Sequence, residues 1–165
     1  MKRTYYFLAA SLFLIAACAG PSEPTTSEVT SSNDDPAAEK AAILRVLNEE
    51  TIAAFSRDYT GWQDKWVQTP YVTKTYMNFA DSSLTETLGW AEVNQFVVDY
   101  FAEHPEPDPL PAPLTTIDVR LYGTGAWVSY EQDDPARGRK RETRLMELIE
   151  GEWKIAGMGT VIYGE

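Results

Sequence analysis

The sequence predicts an α+β domain with helices packed on one face of a curved sheet. Three observations carry this. The first is the stretch Arg141–Gly164, where two runs of strand character, Glu142–Ile149 and Trp153–Tyr163, flank a tight turn at Glu150-Gly151-Glu152. The second is the order α-α-β-β-α-β-β-β-β, read from hydrophobic periodicity along the chain. The third is the shortness of the loops between the last four strands. Antiparallel strands accept such loops, whereas parallel strands need long crossovers, and the layered solution is helices on one face of a sheet. A chain of 165 residues, 44% of them hydrophobic, provides for one core with tails.

Each element has its own signal. Asp35 is placed to cap a helix and Pro36 suits its first position. Glu39 adds acid near the positive end of the dipole. Ile43, Leu44, Leu47, Thr51, Ala54 and Phe55 fall at helical spacing, so this helix is predicted to reach about Arg57. Thr60–Val67 reads as a short helix with Trp62 and Trp66 one turn apart, stopping near Thr69 because Pro70 disfavours helix before it. Tyr71–Phe79 is dense in aromatic and β-branched residues and reads as a strand. Asp81-Ser82-Ser83 turns the chain into a return strand, Leu84–Leu88, which Gly89 breaks. From Trp90 to about Glu103, Val93, Phe96, Val97 and Tyr100 share one helical face.

His104–Leu114 carries proline at 105, 107, 109, 111 and 113. Such a segment is held extended and cannot join a central strand, so it reads as a stiff connector. A polyproline segment docked on an aromatic groove is the alternative. Thr115–Tyr122 alternates Ile117, Val119 and Leu121 against Asp118 and Arg120, a half-buried strand. Gly123-Thr124-Gly125 turns, Ala126–Gln132 is the next strand, and Asp133–Gly138 is a loop before the closing hairpin.

The first residues have a different character. Lys2 and Arg3 precede Tyr5–Ala17, an apolar run of thirteen residues. That is short of the ~20 residues a membrane-spanning helix needs, but it suits the core of a signal peptide. Ile15-Ala16-Ala17-Cys18 resembles the bacterial lipobox. The resemblance implies cleavage before Cys18 and a diacylglycerol thioether on its sulfur. An ordinary signal peptide or a buried free cysteine is the alternative. Ala19–Asp35 is rich in serine, threonine, proline and acid, and reads as a disordered tether. The expected organisation is a signal peptide over 1–17, a lipidated cysteine and tether over 18–36, and a domain over 37–165. The chain is thereby expected at the bacterial cell envelope, held to a membrane through lipid on Cys18 at the periplasmic or extracellular face.

Composition excludes several function classes. Net charge is −11, and residues 1–17, which hold Lys2 and Arg3 and no acid, leave −13 when removed. Nucleic-acid phosphates call for a basic surface, so no nucleic-acid partner is expected. The single cysteine allows no internal disulfide. No Cys/His cluster points to a metal and no glycine-rich phosphate loop to a nucleotide, so neither metal nor cofactor is expected.

AAILRVLNEETIAAF, Gly89-Trp90, AWVSYEQ and above all ETRLMELIEGEWKIAGM resemble the nuclear transport factor 2-like superfamily, in particular its SnoaL-like branch. The likeness covers about Ala37–Tyr163. It implies a cone-shaped α+β roll of cystatin-like kind, with three helices on a strongly curved mixed or antiparallel sheet and a pocket at the mouth of the cone. It does not imply one function, since the superfamily holds isomerases, cyclases, dehydratases, transport factors and members without known activity.

Enzymes of that superfamily place an aspartate or histidine inside the cone as base. The single histidine, His104, falls at a helix end beside prolines, so a His–Asp pair on the strands is absent. Asp64 and Asp81 are the carboxylates nearest the expected mouth, although a helix start and a turn favour acid for local reasons. Glu131 and Glu147 lie on strands, and either would be a candidate base if it pointed inward, since burial raises a carboxyl pKa. Arg144 lies within a strand. Facing inward, it would hold a carboxylate or phosphate, or pair with an internal glutamate; facing outward, it would pair across the strand. Trp62, Trp66, Tyr76, Tyr100 and Tyr130 line an apolar cavity with polar tips or are plain core, and Asn78 adds an amide. Arg137, Arg139, Lys140 and Arg141 read as a solvated hairpin tip, with contact to anionic headgroups as the alternative.

Three functions remain open on this reading. One is a membrane-anchored binding module for a small amphipathic or acidic ligand or a partner segment. The second is an acid–base enzyme of isomerase, cyclase or dehydratase type using the same pocket. The third is a structural envelope protein that dimerises through its sheet.

Overall fold

The computed structural model describes residues 35–164. The signal peptide, Cys18 and the tether up to residue 34 lie outside the described residues. Helix α1 spans Pro36–Phe55, and the Asp35 side chain accepts from the Ala37 N–H at 2.9 Å, the cap that the sequence calls for. Helix α2 is Tyr59–Asp64, three residues shorter at its end than expected. The chain there leaves the helix early because Trp66 bridges to the sheet at Ile155. Strands β1 (Thr73–Asn78) and β2 (Ser83–Leu88) form a hairpin, and α3 (Trp90–Glu103) follows. Gly89 makes that junction with φ of 80°, its N–H donating to the Val72 carbonyl at 2.7 Å. Strands β3 (Asp118–Tyr122), β4 (Gly125–Asp134), β5 (Gly138–Ile149) and β6 (Glu152–Gly164) complete the domain.

The six strands form one mixed sheet in the order β2-β1-β6-β5-β4-β3. Only β1 and β6 run parallel; the other pairs are antiparallel. The fold is therefore α+β, as the order of elements predicts. The β5–β6 turn has two residues, Glu150 and Gly151, with φ of 53° and 85°. Left-handed conformation at both positions is what a two-residue hairpin turn of matching twist requires. Two register shifts interrupt β5–β6, between Arg139 and Lys140 and between Leu145 and Met146, and such bulges bend a strand.

Two expectations need correcting. The loop over Asp133–Gly138 is shorter than expected, because β4 runs on to Asp134 and β5 starts at Gly138. This brings Arg137 and Lys140 off the supposed solvated tip: Lys140 is buried and Arg137 half-buried. The proline-rich segment joins no strand, as predicted, but it is pinned at several points rather than bridging freely. The Asp108 N–H donates to the Phe55 carbonyl at 3.0 Å. Asn48 exchanges two hydrogen bonds with the Leu114 backbone, at 2.8 and 3.1 Å, and the Gln132 amide donates to the Ala112 carbonyl.

The core fills the space between α1, α2, α3 and the inner face of the sheet. Ile43, Leu47, Trp62, Trp66, Val72, Val93, Val128, Met146 and Ile155 are its most enclosed apolar side chains. Strand alternation decides what joins them. On β5 the inner row is Lys140, Glu142, Arg144 and Met146, all buried.

Candidate functional site

The same alternation places a set of polar side chains on the wall of a cavity. On β1 the inner row is Lys74, Tyr76 and Asn78. Register carries these across the sheet. Lys74 lies beside Met158, which faces Arg144, which faces Val128. One step along, Tyr76 lies beside Thr160, then Glu142, then Tyr130. The cavity over these rows measures about 490 Å³ and is lined on its helical side by Ala54 and Phe55 of α1 and by Phe96, Val97 and Tyr100 of α3. That volume falls in the range of small-molecule sites.

Eight charged groups form an alternating chain along the cavity. Arg57 meets Asp108 at 3.1 Å, and Arg137 meets Asp108 and Asp134, each at 3.2 Å. Lys140 lies 3.5 Å from Asp134 and 3.0 Å from Glu142. Arg144 donates from Nε to Glu142 at 3.0 Å and approaches Glu50 at 3.6 Å. The Tyr130 hydroxyl donates to Glu142 at 2.6 Å. Burial alone would raise the Glu142 carboxyl; the cations Arg144 and Lys140 and the Tyr130 hydroxyl outweigh it and hold it well below the usual carboxylate range. Burial lowers the Lys140 ammonium, but Glu142 and Asp134 prevail and raise it. Burial, with Glu142 alongside, pushes the Tyr130 phenol far up, so it stays a donor.

The α1 terminus delivers Arg57 to this chain. Ser56 caps the helix, and the Asp58 N–H returns to the Ala53 carbonyl at 2.8 Å. Arg57 sits between them with φ of 63°, a left-handed position usually given to glycine. Its side chain secures the strained backbone: Nε donates to the His104 carbonyl at 2.6 Å, and a second nitrogen reaches the Ala54 carbonyl at 3.0 Å.

Lys74 stands apart from the chain. It is 5% exposed, and its ammonium lies 5.7, 5.1 and 5.4 Å from the ring centroids of Trp62, Trp66 and Tyr76. Both indole N–H groups donate to Glu50 Oε1, at 3.1 and 3.2 Å. This fixes the edges of the two rings on Glu50. Among the described residues the Lys74 ammonium has no carboxylate partner and no hydrogen-bond acceptor.

The expected pocket residues divide. Trp62, Tyr76, Asn78, Tyr100 and Arg144 line the cavity. Trp66 and Tyr130 are buried behind its wall and act on it through Glu50, Lys74 and Glu142. Arg144 takes the second of its inward readings, pairing with internal glutamates, and so is not an uncommitted positive charge.

None of the four expected acid or base residues lies on the wall, which corrects that expectation. Glu131 and Glu147 occupy the outer parity of β4 and β5. Glu131 bonds Arg139 and Arg141, and its carboxyl is lowered chiefly by the Arg139 hydrogen bond. Glu147 accepts from the Tyr71 hydroxyl at 2.8 Å. Asp64 is exposed at the end of α2, and Asp81 is exposed in its turn, lowered by its hydrogen bonds with Ser83. His104 caps α3 at the surface, as its position suggests.

Sequence reasoning missed Glu50, Lys74, Glu142 and Thr160. Glu50 was legible: it lies three residues after Leu47 and four before Ala54, a carboxylate within an apolar helical stripe. Lys74 was legible too, as it shares strand parity with Val72 and Tyr76. Glu142 needed the inward parity of β5, which the sequence leaves open because both parities of Arg144–Ile149 carry apolar residues.

No protein-family model matches the chain, and no curated protein does. Solved structures do. An NTF2-like protein of unknown function from Shewanella baltica matches 81% of this chain and 100% of its own, with TM-score 0.60 and 19% identity. One from Methylobacillus flagellatus covers 79% and 97% at TM-score 0.60 and 15% identity. A cystatin-like fold protein from Burkholderia xenovorans covers 76% and 92% at TM-score 0.55 and 19% identity. The chain thus has the NTF2-like fold, and at these identities the likeness speaks to the fold alone.

Proposed function

We propose that the domain is a binding module that holds a small amphipathic ligand in the cavity between α1, α3 and the sheet. One observation carries the reading: a cavity of about 490 Å³ whose wall sets aromatic and aliphatic faces beside nine charged side chains fixed in place, a volume within the range of small-molecule sites and a wall that suits an amphipathic ligand. Acid–base catalysis has less support. The carboxylates on the wall include Asp108 and Glu142. At Asp108 burial works upward, but the Arg57 and Arg137 hydrogen bonds prevail and lower it, and Glu142 is lowered further still. A depressed carboxyl is a weak base. The test uses the purified domain and two probes of one shape, 2-naphthoate and 2-naphthamide. Saturable one-to-one quenching of tryptophan fluorescence by either supports the reading, because Trp62 lies on the wall. Absence of quenching by both at millimolar concentration removes it.

The anchored location is part of the proposal and rests on Ile15–Cys18. A lipid of two or three chains at Cys18, each buried methylene contributing about 0.8 kcal/mol, would hold the domain to a membrane. Cys18→Ser should release the protein from the membrane fraction or leave it unprocessed. Unchanged fractionation together with unchanged precursor mass would refute the anchor.

A homodimer through the sheet is proposed for the opposite face. Tyr71, Tyr122, Trp127 and Leu145 leave that face between 45 and 64% exposed and surround a shallow depression, the kind of apolar patch that marks an interface.

A further inference from the structure

The chain of ion pairs along the cavity is electrically closed. Arg57, Arg137, Lys140 and Arg144 alternate with Asp108, Asp134, Glu142 and Glu50, so its formal charges cancel. Lys74 adds one positive charge that nothing on the wall offsets, in a chain whose net charge is −11. An unpaired charge removed from water is costly. Faces of three aromatic rings replace part of the lost hydration, but a ring offers no acceptor to an ammonium with three N–H donors.

Two further polar groups beside Lys74 also lack partners. Arg144 Nη1 and Thr160 Oγ1 are buried on the same wall and make no hydrogen bond. Register brings the three together. Lys74 and Arg144 flank Met158 on adjacent strands, so their Cα atoms are roughly 10 Å apart at the ordinary strand spacing. Thr160 is the next inward residue after Met158 on β6. The patch over Met158 therefore offers an ammonium, a guanidinium N–H and a hydroxyl, and among the described residues neither the Arg144 Nη1 nor the Thr160 hydroxyl makes a hydrogen bond, Glu142 and Glu50 nearby being committed to the ion-pair chain. An ionised carboxylate, which only accepts, complements that set. The uncompensated charge is one, which matches a monoanion; a phosphate monoester brings −1.5 to −2 near neutral pH.

We propose that Lys74, Arg144 Nη1 and Thr160 Oγ1 form a carboxylate subsite at the floor of the cavity, and that the ligand is an apolar monocarboxylic acid. Its hydrocarbon or aromatic body lies against Trp62, Tyr76, Phe96 and Val97, and Lys74 is the residue that selects the acid. The inference rests on the reading of the cavity as a ligand site, and it names the ligand's class.

The experiment compares 2-naphthoate, neutral 2-naphthamide and dianionic 2-naphthyl phosphate by calorimetric titration at neutral pH. The wild type should bind naphthoate at least tenfold more tightly than either of the others. Lys74→Met should abolish the preference for naphthoate over the amide while amide binding changes little, and Lys74→Arg should retain most of it. Thermal melting establishes that each variant is folded. Should Lys74→Met fail to fold, Thr160→Val, which removes only the hydroxyl, should reduce naphthoate affinity several-fold and leave the amide unaffected. Equal affinity of the wild type for naphthoate and naphthamide overturns the subsite and leaves the cavity reading standing. Equal loss of both probes in Lys74→Met assigns Lys74 to packing and overturns it as well. Tighter binding of the phosphate overturns the monoanion class. Binding of none of the three removes the ligand site itself, and the subsite with it.

Discussion

The two faces of strand β5 carry much the same residue types to opposite ends. Its inner row, Lys140, Glu142 and Arg144, is at most 7% exposed and its members contact one another or their neighbours in the ion-pair chain. Its outer row includes Arg139 and Arg141, which share Glu131 at the surface. Both rows satisfy charge with charge. The difference is solvent. Outside, an arginine released from its partner returns to water, so the pair contributes little. Inside, each group left alone remains desolvated, so the pair cannot be opened without a large penalty. Inner charges therefore hold the wall in one arrangement, and outer charges keep the strand solvated.

The largest break in this comparison is Glu142→Gln. The substitution keeps the shape and leaves Arg144 and Lys140 without their shared carboxylate. It should cost about 3–5 kcal/mol of stability, the range for removing one member of a buried pair. The acid limb of the stability profile should change with it. In the folded protein the Glu142 carboxyl is held below its unfolded value, which is near 4.3. Its contribution is thus fully present above about pH 5 and is lost as the pH falls further. The wild type should lose stability through that window more steeply than Glu142→Gln does. Urea melts at pH 7 and at successively lower pH measure both effects, and parallel acid limbs would show that Glu142 does not titrate as its surroundings require.

The comparison also explains what the sequence made legible. The element order, the closing hairpin and the short meander loops follow from periodicity and turn chemistry, and each element is present with ends shifted by a few residues. The inner face of β5 was not legible, because both parities of Arg144–Ile149 carry apolar residues: Leu145 and Ile149 alternate with Met146 and Leu148. Side-chain pattern selects a face only when one parity is polar. Here the interior itself is polar, so the charged parity reads as solvent-facing. For this reason Arg137 and Lys140 read as a wet tip in the sequence, whereas in the structure they line a cavity. The same ambiguity leaves Glu131 and Glu147 as candidate bases on the condition that they point inward, a condition that their outer parity does not meet.

A smaller effect is expected where the outer face is apolar. Trp127 on β4 and Leu145 on β5 face one another in register and are 45 and 47% exposed. If this face joins two copies, Trp127→Arg should weaken association tenfold or more while the monomer's melting midpoint holds. That is about 1.4 kcal/mol, a modest value for an aromatic anchor at an interface. Sedimentation equilibrium over a wide concentration range measures it. A wild type that stays monomeric throughout would refute the dimer.

The smallest effect sharpens the contrast most. Glu131 joins Arg139 and Arg141 by the same chemistry that joins Glu142 to Lys140 and Arg144: one carboxylate between two cations on β5. If carboxylate–cation pairing itself stabilised the strand, Glu131→Gln and Glu142→Gln would cost similar amounts. If desolvation decides, Glu131→Gln should leave the melting midpoint unchanged within error, because both arginines regain water. Salt separates the two cases again. Surface pairs are screened at high ionic strength and buried pairs much less, so 0.5 M sodium chloride should erase any residual Glu131 effect and leave most of the Glu142 cost. A double-mutant cycle on Glu131 and Arg139 should return a coupling near zero, against about 0.5–3 kcal/mol for Glu142 and Arg144. A comparable coupling in both cycles would mean that pairing, rather than the loss of water, sets the difference between the two faces.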